Sequence, residues 1–180
     1  KVAVYKENLY KPMPGYRFIA SNTDRSRYYV GELNGKSSKQ AYMDALHISE
    51  SNIINQTFHN PIGKMNGQDI CIISLKEVSG NGLCCYRQVN DSDVLVLLEE
   101  QDYNEILDET LQRIRRDFNH ISGVFSINCV FRYLLFSQEH HMEDYLKTMS
   151  TLGDHAGLIG FGEHYNQQFV NQTMTCVVFE

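Results

Sequence analysis

The alternation of apolar and polar residues changes period several times along the chain, and these changes predict its elements. Val2-Ala3-Val4-Tyr5 opens as a short strand. Residues 11–26 carry Pro12, Pro14 and Gly15 and read as a connection, with a brief extended piece over residues 16–19. Residues 27–33 alternate with strand period and stop at Asn34-Gly35, a turn dipeptide. Ser37 or Ser38 then caps a helix that gathers Ala41, Tyr42, Ala45 and Leu46 on one face. A second short helix spans residues 50–58 and ends before Asn60-Pro61-Ile62-Gly63. Strands are predicted over residues 68–78 and 82–89, joined by Ser79-Gly80-Asn81-Gly82, and over residues 94–98 after Asp91-Ser92-Asp93. Three consecutive strands with short links favour antiparallel pairing, because parallel neighbours need a long crossover.

In the second half, Ile106, Leu107, Thr110, Leu111, Ile114 and Phe118 recur at helical spacing over residues 102–120. Acids lie early and arginines late in that segment, as the helix dipole favours. Gly123–Cys129 is an apolar strand, and residues 139–152 form an amphipathic helix with Met142, Tyr145, Leu146 and Met149 inward. Strands at residues 157–161 and 174–179 flank a polar loop at residues 164–168. These elements sum to an α+β domain, a largely antiparallel or mixed β-sheet with helices packed on it.

Composition narrows the function. A chain of 180 residues, 42% hydrophobic and 21% charged, is of ordinary globular size and make-up. The net charge of -6 argues against nucleic acid, whose binding needs phosphate neutralisation. Arg113, Arg115 and Arg116 are interspersed with Asp108, Glu109 and Asp117 and read as a solvated helix face. No apolar run approaches the roughly 20 residues of a membrane helix, and no signal peptide opens the chain, so no membrane contact is expected of this segment. The first residue is Lys1 rather than Met, the expectation for a segment of a longer protein. Cys71, Cys84, Cys85, Cys129 and Cys176 sit in apolar stretches without CxxC spacing, which points to buried free thiols in a reducing compartment. No metal or cofactor is expected. His140 and His141 are adjacent and would point about 100° apart on a helix, as surface histidines do.

Candidate chemistry gathers in the last third. Gly160-Phe161-Gly162-Glu163 sets small residues on both sides of one carboxylate, where backbone can approach a ligand closely. Glu163 could accept charge-assisted bonds from an ammonium group. Arg132 could clamp a carboxylate bidentately, or form a structural ion pair, with Glu163 among its partners. Cys129 closes an apolar strand, where buried packing outweighs a nucleophilic role. Phe161 could line a pocket. No catalytic residue is assigned.

The order of the pieces resembles the C-terminal part of the FIST family, sensory domains of bacterial signal-transduction proteins also found fused to F-box proteins. The resemblance rests on Arg27 followed by YYVGELNGKSSKQAYMDAL, on the turn Asn60-Pro61-Ile62-Gly63, and on FSINCVFR within residues 123–132. It rests also on Gly160-Phe161-Gly162-Glu163 with Asn171-Gln172-Thr173-Met174-Thr175. His164 stands where the family usually has an aliphatic residue, and Asn34-Gly35 replaces the more usual Asp-Gly. The resemblance implies a cytoplasmic sensor of small molecules such as amino acids, read here as non-catalytic, and the residues themselves offer Arg132, Glu163, Gly160, Gly162, Phe161 and Cys129 as ligand-binding candidates. It implies residues 27–180 as the FIST C-terminal-like domain and residues 1–26 as a strand and connection, consistent with the end of an upstream FIST N-terminal domain. Kinase, chemotaxis-receptor or cyclic-nucleotide domains are the implied outputs. A protein-interaction module that assembles signalling partners, or a hydrolase working through Cys129, are the alternatives.

Overall fold

In the computed structural model, which describes residues 1–67 and 69–180, β-sheets carry helices packed on them in an α+β architecture. The chain divides into two compact units, Tyr10–Glu100 and Lys1–Leu9 with Gln101–Glu180. Strand β1 (Val2–Asn8) belongs to the latter.

The unit Tyr10–Glu100 holds β2 (Tyr10–Asp24), β3 (Tyr29–Leu33), β4 (Lys36–Ser37), helices α1 (Ser38–Leu46) and α2 (Ile53–Gln56), β5 (Ile62–Asn66), β6 (Asp69–Ile73), β7 (Leu75–Ser79), β8 (Gly82–Cys85) and β9 (Val94–Glu100). They form an antiparallel sheet in the order β6-β5-β9-β2-β3-β8-β7, with β4 beside β3. Asn34 and Gly35 both take positive φ, 54° and 73°, the geometry of a two-residue hairpin turn. Asn34 also ties the turn to β2, accepting from the Ile19 N–H at 2.7 Å and donating to the Arg17 carbonyl at 3.0 Å. Leu33, Ile53, Ile73, Leu75, Leu83, Leu95 and Leu97 fill the core beneath α1. Burial contributes about 1.5–3 kcal/mol for each such side chain.

Here several sequence expectations are corrected. Residues 11–26 are no connection: they lie within or just beyond the long strand β2. Its register against β9 shifts between Pro12 and Arg17, a bulge that absorbs Pro14 and Gly15. The strand expected over 68–78 begins at Gln68, outside the described residues, and breaks at Ser74 into β6 and β7. Ile62 and Gly63, read as part of a turn, begin β5. Strand β9 pairs with β2 and β5 rather than with its predecessor β8.

The other unit adds α3 (Tyr103–Asp117), β10 (Gly123–Cys129), α4 (Val130–Gln138), α5 (Met142–Met149), β11 (Asp154–Gly160), β12 (Glu163–Tyr165), β13 (Gln168–Val170) and β14 (Thr173–Phe179). A mixed sheet runs β1-β14-β10-β11, antiparallel except for the parallel β10–β11 pair, which α4 and α5 cross over. Asp102 caps α3 through the N–H groups of Asn104 and Glu105, and Leu107, Thr110, Leu111 and Ile114 form the buried stripe expected of it.

Register sorts the sheet's side chains by face, because successive residues alternate. Tyr5, Cys176, Ser126 and Gly157 form one row, and Glu7, Met174, Asn128 and Ile159 the next. Both rows face the helices: Tyr5 bonds Asp117 of α3, Glu7 bonds Arg132 of α4, and Asn128 bonds Tyr145 of α5. The opposite face meets the β12–β13 hairpin, through Thr173 to Glu163 and Lys6 to Gln168. The segment read as a polar loop over 164–168 is thus mostly this hairpin. The single helix expected over 139–152 is shorter, and α4 precedes it from Val130. On α5, Tyr145 and Met149 point inward as expected, whereas Leu146 is exposed. No helix among the described residues is long and apolar enough to cross a membrane.

Candidate functional site

Strand β10 places two polar residues, Ser126 and Asn128, at alternate positions on its buried, helix-facing side. Polar side chains there need partners. The Asn128 Nδ2 donates to the Tyr145 hydroxyl at 2.9 Å, and that hydroxyl donates to the Ser126 Oγ at 3.3 Å. The Ser126 Oγ lies 2.8 Å from the His155 Nε2. An amide nitrogen can only donate, so Asn128 donates to Tyr145 and Tyr145 to Ser126; the tautomer of a neutral His155 ring decides whether its Nε2 accepts from the Ser126 hydroxyl or donates to it. Burial holds His155 below its ordinary pKa, in keeping with that neutral ring. The head of the chain is the Asn128 Oδ1, which is buried and has no protein donor.

These four residues line a cavity of about 310 Å³ over β10 and β11. Met142 and Leu146 of α5 and Ile159 of β11 supply apolar wall. Gly157 allows the two strands their close approach: a Cβ there would sit 2.6 Å from the Ser126 Oγ and 2.7 Å from the Ser126 carbonyl oxygen. Tyr145 is positioned from behind by Arg132, whose guanidinium lies over its ring at 5.5 Å and over Phe136 at 4.6 Å.

The structure disperses most of the residues singled out from sequence. Arg132 sits in the first turn of α4, only 1% exposed, and its ion pair is with Glu7. Glu163 begins β12 on the opposite face of the sheet, 2% exposed, accepting from the Thr173 hydroxyl at 3.0 Å. The guanidinium therefore takes Glu7 as its ion-pair partner, while its charge also acts on the Glu163 carboxylate. Burial pushes the Glu163 pKa up to about 7 from 4.5, against the pull of Thr173, the Cys129 thiol and the Arg132 charge. Cys129 closes β10 beside Glu163, and burial with that neighbouring carboxylate pushes its thiol up. Gly162 turns the chain into β12 at φ 112°, and a Cβ there would meet the Phe169 ring at 2.5 Å. Gly160 lies at the end of β11, and Phe161 is 91% exposed. His141, read as a surface histidine, packs edge-on against Phe136 at 4.8 Å and near Tyr103. No cluster of His, Cys, Asp and Glu suited to a metal occurs among the described residues.

The residues of the cavity were missed in sequence. Their signal was available in Ser126 and Asn128, two polar residues spaced by two inside an apolar strand.

A buried polar relay thus lines a cavity on the helix-facing side of the mixed sheet. A family model for the FIST C domain matches residues 39–166, and the chain belongs to that family. FIST C is a sensory domain family of signal-transduction proteins. No curated protein and no solved structure matches the chain.

Proposed function

We propose that this domain is a small-molecule sensor of a signal-transduction protein and that its ligand enters the cavity over β10 and β11. The observation that carries this reading is the partnerless Asn128 Oδ1 at the head of a directed hydrogen-bond chain lining that cavity. A buried acceptor without a donor costs about 1–3 kcal/mol, which a ligand N–H or O–H would recover once the Asn128 amide turns its Oδ1 onto the cavity. The volume, about 310 Å³, lies at the small end of ligand pockets. Binding would bias the conformations available to this module, and through them an output domain.

The role is non-catalytic. Ser126 and His155 are in hydrogen-bond contact, yet the Ser126 Oγ also accepts from Tyr145, which weakens it as a nucleophile. Cys129 is held as a thiol. A thermal-shift screen against metabolites tests the sensor reading. A ligand present at about a hundred times its Kd stabilises the folded state by about 2.7 kcal/mol. The exposed Leu146 lines the cavity, so Leu146→Trp should abolish the shift while moving the unliganded Tm by no more than about 2 °C. Shifts that survive Leu146→Trp would place the ligand elsewhere. Finding no stabilising metabolite would favour a module that only assembles protein partners.

A further inference from the structure

We propose that the cavity over β10 and β11 selects an uncharged molecule with an apolar body and one N–H or O–H donor, and that it rejects free amino acids. This rests on the cavity being the ligand site. Its lining contains no Asp, Glu, Lys or Arg among the described residues. Behind Tyr145 stands the charged side chain of Arg132, which Glu7 neutralises. Burial favours the neutral form of His155, whose Nε2 lies 2.8 Å from the Ser126 Oγ.

A carboxylate or ammonium entering this space would leave water with no opposite charge to meet, a large desolvation cost. The floor offers the reverse of a charge site. The Asn128 Nδ2 gives one of its two hydrogens to Tyr145 and the Tyr145 hydrogen goes to Ser126, which leaves the Asn128 Oδ1 as the unmet acceptor. The matching ligand group is a neutral donor. Met142, Leu146 and Ile159 then suit a ring or branched aliphatic body rather than a second polar end.

Three probes separate the parts of this inference on the 180-residue chain. Indole is uncharged and carries one N–H, benzothiophene is its near-isostere without a donor, and tryptophan adds a zwitterion to the same ring. Calorimetry should show indole binding, with benzothiophene about ten- to a hundredfold weaker because Asn128 is left unmet. Tryptophan should be at least about a hundredfold weaker than indole. Asn128→Leu should erase the preference for indole over benzothiophene; if that variant does not fold, the comparison of probes on the unaltered chain still decides. Tryptophan binding as tightly as indole, in a manner blocked by Leu146→Trp, would overturn the neutral-ligand inference and leave the cavity as the site. Equal binding of indole and benzothiophene would overturn the donor requirement. Binding of any probe that Leu146→Trp does not affect, or binding of none, would overturn the cavity assignment itself.

Discussion

The ion pair between Arg132 and Glu7 should behave as a strongly coupled unit. Both side chains are buried, at 1% and 0% exposure, and they join α4 to β1 across 125 residues of sequence. Replacing one partner leaves a buried charge with no counterion, which costs about 3–5 kcal/mol. Arg132→Met and Glu7→Gln should therefore each fall in that range. The pair is imperfectly satisfied, however: the Arg132 Nε and Nη1 and the Glu7 Oε2 have no hydrogen-bond partner. Removing both charges relieves those groups and forfeits the stacking on Phe136 and Tyr145, worth about 0.5–2 kcal/mol. The double variant should consequently lie within about 2 kcal/mol of the unaltered chain, a coupling of at least about 4 kcal/mol. Urea unfolding followed by circular dichroism measures all four corners of this cycle. With a slope of about 2–3 kcal/mol/M, each single change should lower the midpoint by about 1–2 M. Additive losses, or single losses under about 1 kcal/mol, would refute the assignment of Arg132 to a buried structural pair.

Three further outcomes follow from the same geometry. The folded pKa of Glu163, about 7, lies above its ordinary 4.5, so between these values the folded chain holds a proton that the unfolded chain has released. Stability should thus fall as pH rises through that window, with a limiting slope of about 1.4 kcal/mol per pH unit, and then level off. Glu163→Gln should remove that component and stabilise the chain by about 1–3 kcal/mol at about pH 8; parallel pH curves for the two proteins would contradict it. Gly157→Ala should cost about 1–3 kcal/mol, since its Cβ would overlap the Ser126 Oγ and carbonyl, and a neutral effect in thermal melts would show that β10 and β11 can part freely. Cys129 should react with iodoacetamide at neutral pH at least about a hundredfold more slowly than in the unfolded chain, and rapid modification would instead favour a nucleophilic role.

The fold class was legible because α3, β10 and β14 each carry a clear period and clear ends. Tertiary context decided the rest. Pro12, Pro14 and Gly15 punctuate β2 as a connection would, and only pairing with β9 shows the bulge that accommodates them. Helix α4 is rich in aromatic and β-branched residues, Val130-Phe131 and Tyr133 among them, so local propensity extends the strand before it. Its helical form comes from packing on β10 and β11 and from the Arg132–Glu7 pair, whose partners are too far apart in sequence to be matched by eye. The cavity escaped the sequence reading for a related reason. Charge drew attention to Arg132 and Glu163, while the cavity is lined by neutral polar groups from β10, α5 and β11 that converge only once the β10–β11 crossover is formed. The glycines of residues 160–162 serve the turn into the hairpin.

Amide-correlation NMR of the nitrogen-labelled chain, titrated with indole, tests the ligand site most directly. Saturable shifts should centre on Ser126, Asn128, Tyr145 and residues 155–159, and should vanish in Leu146→Trp. Shifts centred instead on Gly160, Gly162 and Glu163, or no saturable shifts at all, would contradict the placement of the ligand over β10 and β11.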